Sequence, residues 1–349
     1  MQNSARTLRP PSQRVLRQLG LHYVSTDDLT IERRRRGGGF VYLDVRGRRL
    51  RDERMLYRLK RLAVPPAYEA VRFAPDPHAH LQAIGRDAAG RAQYRYHPDW
   101  EKVRELRKAR RLARLAEALP TIRRWVTRHL NDPEPTRERA LAAVIELVGL
   151  TALRPGSEAY AKQNGTRGAA TLLKSNLTVS KRQITLHFTG KGGKTINKTV
   201  VSARLANALR RLATLPGKRM FQYRNDGGEI VPLRRRDVNS ALQEITGRKI
   251  SLKDFRTLNA SAQAIQHLAL LDPIPSQRGR KRQLLATMRE ISAELANTPA
   301  VCRKSYVHAA VVTAFESGEL QKIAKRAGSL RSTAGREKML AKLLERIAT

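Results

Sequence analysis

The chain is nearly without cysteine. Cys302 stands alone among 349 residues, so no disulfide framework can be drawn and a reducing compartment is expected. Acidic side chains are scarce too: 30 against 69 basic ones, a formal net charge of +39. A field that strong gathers polyanions and would be a self-repulsive liability without one. Nucleic acid, bound mostly through phosphates, is the partner it implies. Long apolar runs and lipidation motifs are missing, which removes the membrane surface as a competing partner. The start, Met1-Gln-Asn-Ser-Ala-Arg-Thr-Leu-Arg-Pro-Pro, has no hydrophobic stretch of the secretory kind, so cytosolic residence with access to nucleic acid is expected. Internal repeats are not apparent.

Three chemistries lack their residues. Gly190-Lys-Gly-Gly-Lys-Thr195 resembles a phosphate loop, but the pattern needs glycine at position 188, where Phe188 stands. The eight histidines are scattered, with no HExxH and no multi-cysteine cluster, so a zinc site is not expected. Cys302 has no histidine near it in sequence and reads as a packed residue rather than a nucleophile.

What the sequence does have is ample apolar content, 41% hydrophobic, enough for a packed core in a chain long enough for two domains. Residues 1–13 are polar and proline-bearing and are expected to be a flexible arm. From 19 to 96 the pattern predicts short strands between turns, including Gly90 as the turn of a hairpin in which Tyr94 and Tyr96 share a face. After His97-Pro98 the texture becomes helical. Helices are predicted from 101 to a stop at Pro120, then over 121–130, 136–150, 201–213, 236–246, 257–270, 283–295 and 303–317. One β interruption is expected at 171–179, 183–189 and 195–201. The fold class expected is therefore α+β, a β-rich domain over 14–104 followed by a mainly α-helical one over 105–317 with a small sheet. Residues 318–349 read as a basic extension.

Four basic clusters mark the helical part: Arg154 where a helix meets a turn, Lys191 in a tight hairpin, Lys253-Asp-Phe-Arg256 opening a helix, and Asn297-Thr-Pro-Ala-Val-Cys-Arg-Lys-Ser-Tyr306. A phenol is almost fully protonated at neutral pH. Neighbouring cations favour its ionised form and bind phosphate as well, so Tyr306 can be read as a nucleophile toward a phosphodiester. On this stretch alone it also reads as a packed tyrosine on a basic helix, since most tyrosines only pack or hydrogen-bond. In phosphoryl transfer, non-bridging oxygens need cationic donors that arginine forks supply, and a crowded lysine can protonate the leaving oxygen. In the N-terminal hairpin, Gln93 can hydrogen-bond a base edge and Tyr94 and Tyr96 can pack on bases or phosphate.

Taken in order, Gly90-Arg-Ala-Gln-Tyr-Arg-Tyr96, Leu153-Arg-Pro-Gly-Ser-Glu-Ala-Tyr-Ala-Lys-Gln-Asn164, Phe188-Thr-Gly-Lys191, Lys253-Asp-Phe-Arg-Thr257 and Asn297–Tyr306 resemble the type IB DNA topoisomerases of the poxvirus-like and bacterial branch. The resemblance implies a 3′-phosphotyrosyl link formed by Tyr306, with Arg154 and Arg256 on the non-bridging oxygens and Lys191 protonating the 5′ hydroxyl. Asn297 stands where the poxvirus enzymes carry histidine. Tyr160, Lys253 and Lys194 become candidate phosphate contacts, and Gln93, Tyr94 and Tyr96 candidate DNA contacts. The resemblance also implies double-stranded DNA as partner, no metal, no nucleotide and a monomer. A tyrosine recombinase shares much of this pocket but usually presents His-x-x-Arg where this chain has Lys253-Asp-Phe-Arg256. A non-catalytic DNA-compacting protein would not need all four of Arg154, Lys191, Arg256 and Tyr306.

Overall fold

The computed structural model describes residues 13–326, 330 and 332–348. The arm expected over 1–13 lies outside the described residues, apart from Gln13. The chain forms two compact units, Met1–Arg107 and Lys108–Thr349. The sheet-bearing first unit and largely helical second unit give the expected α+β class.

In the first unit, α1 (Gln13–Gln18) precedes a five-stranded sheet of β1 (Ile31–Arg36), β2 (Gly39–Leu43), β3 (Glu69–Phe73), β4 (Leu81–Arg86) and β5 (Ala92–Tyr96). The strand order is β2-β1-β3-β4-β5 and every pairing is antiparallel. A helix interrupts the expected run of strands: α2 (Glu53–Arg61), capped by Asp52, whose carboxylate accepts from the N–H groups of Arg54 and Met55. Its Leu59 closes a core with Ile31, Tyr42, Val71, Phe73 and Ala83. At the β4–β5 turn, the Asp87 carboxylate gathers the N–H groups of Ala89 and Arg91 and accepts from Gln93 Nε2 at 2.9 Å.

Helix α3 (Trp100–Leu130) begins in the first unit and continues into the second. It runs through Pro120, where a stop was expected. Proline removes one backbone hydrogen bond and crowds the preceding turn, at a cost of about 3 kcal/mol in a helix interior. Pro120 lies on the exposed side of the helix, while Leu115, Leu119, Ile122 and Val126 are buried on both sides of it along the chain. Each such buried side chain contributes roughly 1.5–3 kcal/mol, so packing outweighs the break.

The second unit is built around α4 (Arg137–Thr151), in which Ala140 through Ile145, Leu147 and Val148 are all buried. A helix apolar on nearly every side has to be enclosed. Its neighbours include α6 (Ala203–Ala213), α7 (Arg235–Thr246) and α8 (Leu252–Leu268). Between α4 and α6 come α5 (Glu158–Asn164) and a three-stranded antiparallel sheet of β6 (Leu177–Val179), β7 (Gln183–Thr189) and β8 (Thr195–Val201). The strand expected over 171–179 is thus confined to its last three residues. A short hairpin, β9 (Gln222–Arg224) with β10 (Ile230–Pro232), follows α6.

After α8 come α9 (Gln277–Glu294), α10 (Pro299–Ser305) and α11 (Ala309–Glu316). The single helix expected over 303–317 is two, with Tyr306 at the C-cap of α10. A tertiary contact makes the break: the Ser261 hydroxyl on α8 donates to the Tyr306 carbonyl at 3.2 Å and accepts from the N–H of His308 at 3.0 Å. His308 then caps α11 by accepting from Ala310 N through Nδ1.

In the segment read as a basic extension lie α12 (Glu319–Arg326) and α13 (Thr333–Ala348). Met339, Leu340, Leu343 and Leu344 on α13 are buried in the core of this unit, and Glu337 receives two hydrogen bonds from Arg123, at 2.9 and 2.8 Å. Leu340→Ala is expected to cost about 2–5 kcal/mol by transfer and cavity formation. Denaturant unfolding of the full chain measures this, and an unchanged midpoint would show that α13 contributes nothing to the core.

Candidate active site

Helix α4 ends at Ala152, whose left-handed backbone (φ 51°, ψ 30°) turns the chain toward Arg154. The turn is held by close backbone approach. Ala169 N donates to the Arg154 carbonyl at 2.8 Å and Ala170 N to that of Pro155 at 2.9 Å. A Cβ on Gly168 would come within 2.6 Å of the Arg154 carbonyl oxygen. Gly156 combines a φ of +86° with a site where a Cβ would meet Thr171 Oγ1 at 2.8 Å. Only glycine fits either place, and the pair fixes the backbone that carries Arg154.

Arg256, 3% exposed, lies in the early turns of α8. That helix starts at Leu252, five residues before the predicted start, because Ser251 and Asp254 form a capping box: the Asp254 carboxylate accepts from both Ser251 N and Ser251 Oγ. One Arg256 nitrogen donates to the Ala152 carbonyl and the other to the Leu295 carbonyl at 3.1 Å. These carbonyls stand at the C-terminal ends of α4 and α9, where a cation also meets the negative end of each helix dipole. Beyond Leu295, Ala296 adopts φ 49° and delivers Asn297, whose Oδ1 accepts from Arg154 Nη2 at 2.5 Å. Asn297 Nδ2 is buried and makes no hydrogen bond among the described residues.

The Arg256 guanidinium lies 4.8 Å from the centre of the Tyr306 ring. Burial alone would raise the Tyr306 phenol. The charges of Arg256 and Arg154, a hydrogen bond from Arg256 and the charge of Lys253 together overcome it, and the phenol is held below its ordinary value of 10.0. For Arg256 itself burial is the largest influence and lowers its value, while Tyr306 opposes the shift. A neighbouring thiol behaves differently: burial pushes Cys302 up to about 11, so it stays protonated and packed.

The β7–β8 hairpin carries Lys191 at its tip, with Phe188 opposite Ile196 and Thr189 opposite Thr195. Gly192 and Gly193 take φ of 77° and 72°, and Gly190 N donates to the Lys194 carbonyl at 2.7 Å. Lys191 lines a cleft together with Arg154, Arg167, Lys198, Arg256 and Glu294. Five cations against one carboxylate make this a place for an anion.

The structure thus brings together Arg154, Arg256, Asn297 and Tyr306, with Lys191 in the cleft that Arg154 and Arg256 line. Lys253 is exposed on the first turn of α8 and acts on Tyr306 through its charge. Lys194 is exposed in the hairpin and Tyr160 is exposed on α5. Gln93, Tyr94 and Tyr96 belong to β5 of the first unit. Sequence reasoning missed Arg167 and Lys198. Lys198 left a signal: it lies in phase with Ile196 and Val200 on the inward face of β8, where burial lowers its value and its ammonium donates to the Thr151 carbonyl at 2.9 Å. Arg167 left none.

The chain is similar to known proteins over most of its length. Residues 97–333, more than half of the chain, match the family described as eukaryotic DNA topoisomerase I, catalytic core. Residues 39–87 match the family described as bacterial DNA topoisomerase IB, N-terminal domain. The chain is 32% identical over 284 residues to DNA topoisomerase 1B of Acanthamoeba polyphaga mimivirus, covering 79% of this chain and 84% of the relative. It is 23% identical over 230 residues to DNA topoisomerase 1B of vaccinia virus (strain Copenhagen), covering 64% and 69%. To DNA topoisomerase 1 of rabbit fibroma virus it is 24% identical over 281 residues, covering 72% and 84%. The chain belongs to the type IB DNA topoisomerases.

Proposed function

We propose that the protein relaxes positive and negative supercoils in duplex DNA by transient cleavage of one strand through Tyr306, strand rotation and resealing, without ATP or metal, as a monomer. The observation that carries this reading is the Arg256 guanidinium against the Tyr306 ring, with Arg154 close enough to help lower the phenol. The Tyr306 oxygen attacks phosphorus, a bond to it forms, and the bond from phosphorus to the 5′ oxygen breaks. Arg154 and Arg256 balance the charge on the non-bridging oxygens, and Asn297 Nδ2, without a hydrogen-bond partner among the described residues, supplies a neutral hydrogen bond to one of them. Lys191, on a hairpin stiffened by its register and glycine turns, gives its proton to the leaving 5′ oxygen. Attack in reverse by the 5′ hydroxyl restores the strand. The phosphotyrosyl bond conserves the energy of the diester, so no nucleotide is consumed. Gln93, Tyr94 and Tyr96, with Tyr160, Lys194 and Lys253, contact the DNA. The scarcity of acids, which leaves a field that gathers polyanions, supports a cytoplasmic, nucleoid-associated enzyme; among the described residues no helix is long and apolar enough to cross a membrane.

Relaxation of a supercoiled plasmid with EDTA present and ATP absent, followed by detergent trapping on labelled DNA, tests the reading. A covalent adduct at the 3′ end is expected. Binding without relaxation or adduct would favour a DNA-compacting role. Tyr306→Phe is expected to keep DNA affinity and lose cleavage entirely; residual relaxation would remove Tyr306 as nucleophile. Lys191→Ala is expected to slow cleavage about 10²- to 10⁴-fold and to recover on DNA with a 5′-thiol leaving group, which needs no proton. No recovery would place the proton donor elsewhere.

The pH profile follows from the lowered phenol. Single-turnover cleavage should rise with pH as Tyr306 ionises and level off below pH 10.0, the ordinary value for tyrosine. Arg256→Lys removes the paired hydrogen bonds and should cut the rate by roughly 10²- to 10³-fold while moving the levelling point upward. An unmoved profile would mean that another group limits the rate.

A further inference from the structure

We propose that the first unit carries a stacking platform for unpaired bases, with Tyr23, Tyr94 and Tyr96 as its exposed rings over His80 and Trp100, giving the protein an affinity for single-stranded DNA besides its duplex substrate. The rings form one connected array. Tyr23 lies on His80 with centroids 4.3 Å apart and planes within 10°. His80 meets Trp100 at 4.3 Å, Trp100 faces Tyr96 at 5.9 Å and 17°, and Tyr96 faces Tyr94 at 6.2 Å and 22°. Trp100 and His80 are buried, at 4% and 5% exposed, whereas Tyr23, Tyr94 and Tyr96 keep 42%, 42% and 40% of their surface in solvent. A closed satellite core would hide all of its rings. Here a buried pair supports three rings that stay part-exposed.

Charge and composition point to bases as the ligand. The sequence has nine tyrosines and two tryptophans, and this one array holds three of the former and one of the latter. Exposed Arg86 pairs with Ala92 across the hairpin and so shares the face of Tyr94, where a strand laid across the rings finds a cation for its phosphates. Burial lowers His80 to about 4, so the floor stays neutral and apolar at physiological pH. Paired bases are stacked on each other and offer only their edges to a groove, whereas unpaired bases offer the faces that such rings take up. The inference does not depend on the cleavage chemistry, since single-strand binding is read without any DNA being cut.

The test uses the full chain with Trp125→Phe, which leaves Trp100 as the one indole. Oligothymidylate of about 12 nucleotides, a length within the range a small single-strand site covers, is titrated against a duplex of the same length. The single strand is expected to change Trp100 emission. Tyr23→Ala should weaken its binding by roughly 5- to 100-fold, the usual worth of one stacked base, while Tyr23→Phe, which keeps the ring, leaves it unchanged. Duplex binding should stay near the parent in both. Unchanged Trp100 emission, undiminished single-strand binding by Tyr23→Ala, or equal weakening toward duplex and single strand would overturn the proposal. Tyr23→Leu, which keeps apolar bulk without an aromatic face, repeats the test if thermal unfolding shows that Tyr23→Ala does not fold.

Discussion

The second unit depends on one side chain reaching two helix ends. Arg256 donates to the Ala152 carbonyl at the end of α4 and to the Leu295 carbonyl at the end of α9. Each helix then continues through a left-handed alanine, Ala152 or Ala296, into the residue that faces the site. Arg154 and Asn297 are thereby delivered toward each other, and their own hydrogen bond closes the arrangement. A charged hydrogen bond contributes about 1.5–3 kcal/mol, and removing a buried partner costs more than the bond contributed. Lysine has no planar fork with which to span two carbonyls and still face a tyrosine ring. The residue proposed to bind phosphate is therefore also the residue that builds the binding place.

Tyr306 is placed by a different means. Its segment has no glycine or proline after Pro299 that would end a helix, and the apolar spacing through 317 supports continuation. The break comes from Ser261, fully buried on α8, whose hydroxyl serves the Tyr306 carbonyl and the His308 amide at once. A helix end made by a partner 45 residues away belongs to the packing, and no local pattern announces it. The side chain at such an end is free of the i±4 crowding that a mid-helix tyrosine would have on both sides.

Much of the architecture was nevertheless legible. Alternation placed β7 and β8 at their observed limits, and Arg154 was expected at a helix-to-turn junction, where it stands. The omissions divide by cause. α2 and the early start of α8 had usable signals, Asp52 before a helical spacing and the Ser251–Asp254 pair, which the surrounding strand and turn texture obscured. The passage of α3 through Pro120 follows from burial on both sides, which outweighs a local rule. Arg167 joins the cleft only because the β7 end bonds its backbone: Arg167 N donates to the Thr189 carbonyl at 2.8 Å. Proximity of that kind exists only after folding.

The way Arg256 is held recurs through the molecule. Arg33 donates to the carbonyls of Val64, Pro65 and Tyr68, and Arg58 to those of Ala74 and Pro75. Arg139, 1% exposed, donates to those of Leu130 and Pro133. These four guanidinium groups, Arg256 among them, are solvated by peptide dipoles instead of being neutralised by carboxylates, unlike Arg219, which pairs with Glu158. A carboxylate partner would cancel a unit of charge, whereas a carbonyl steadies the cation and leaves its full charge to be felt outside. Interior arginines thus serve as fixed sources of the long-range attraction that draws a polyanion in, and the folded core itself takes part in finding the substrate.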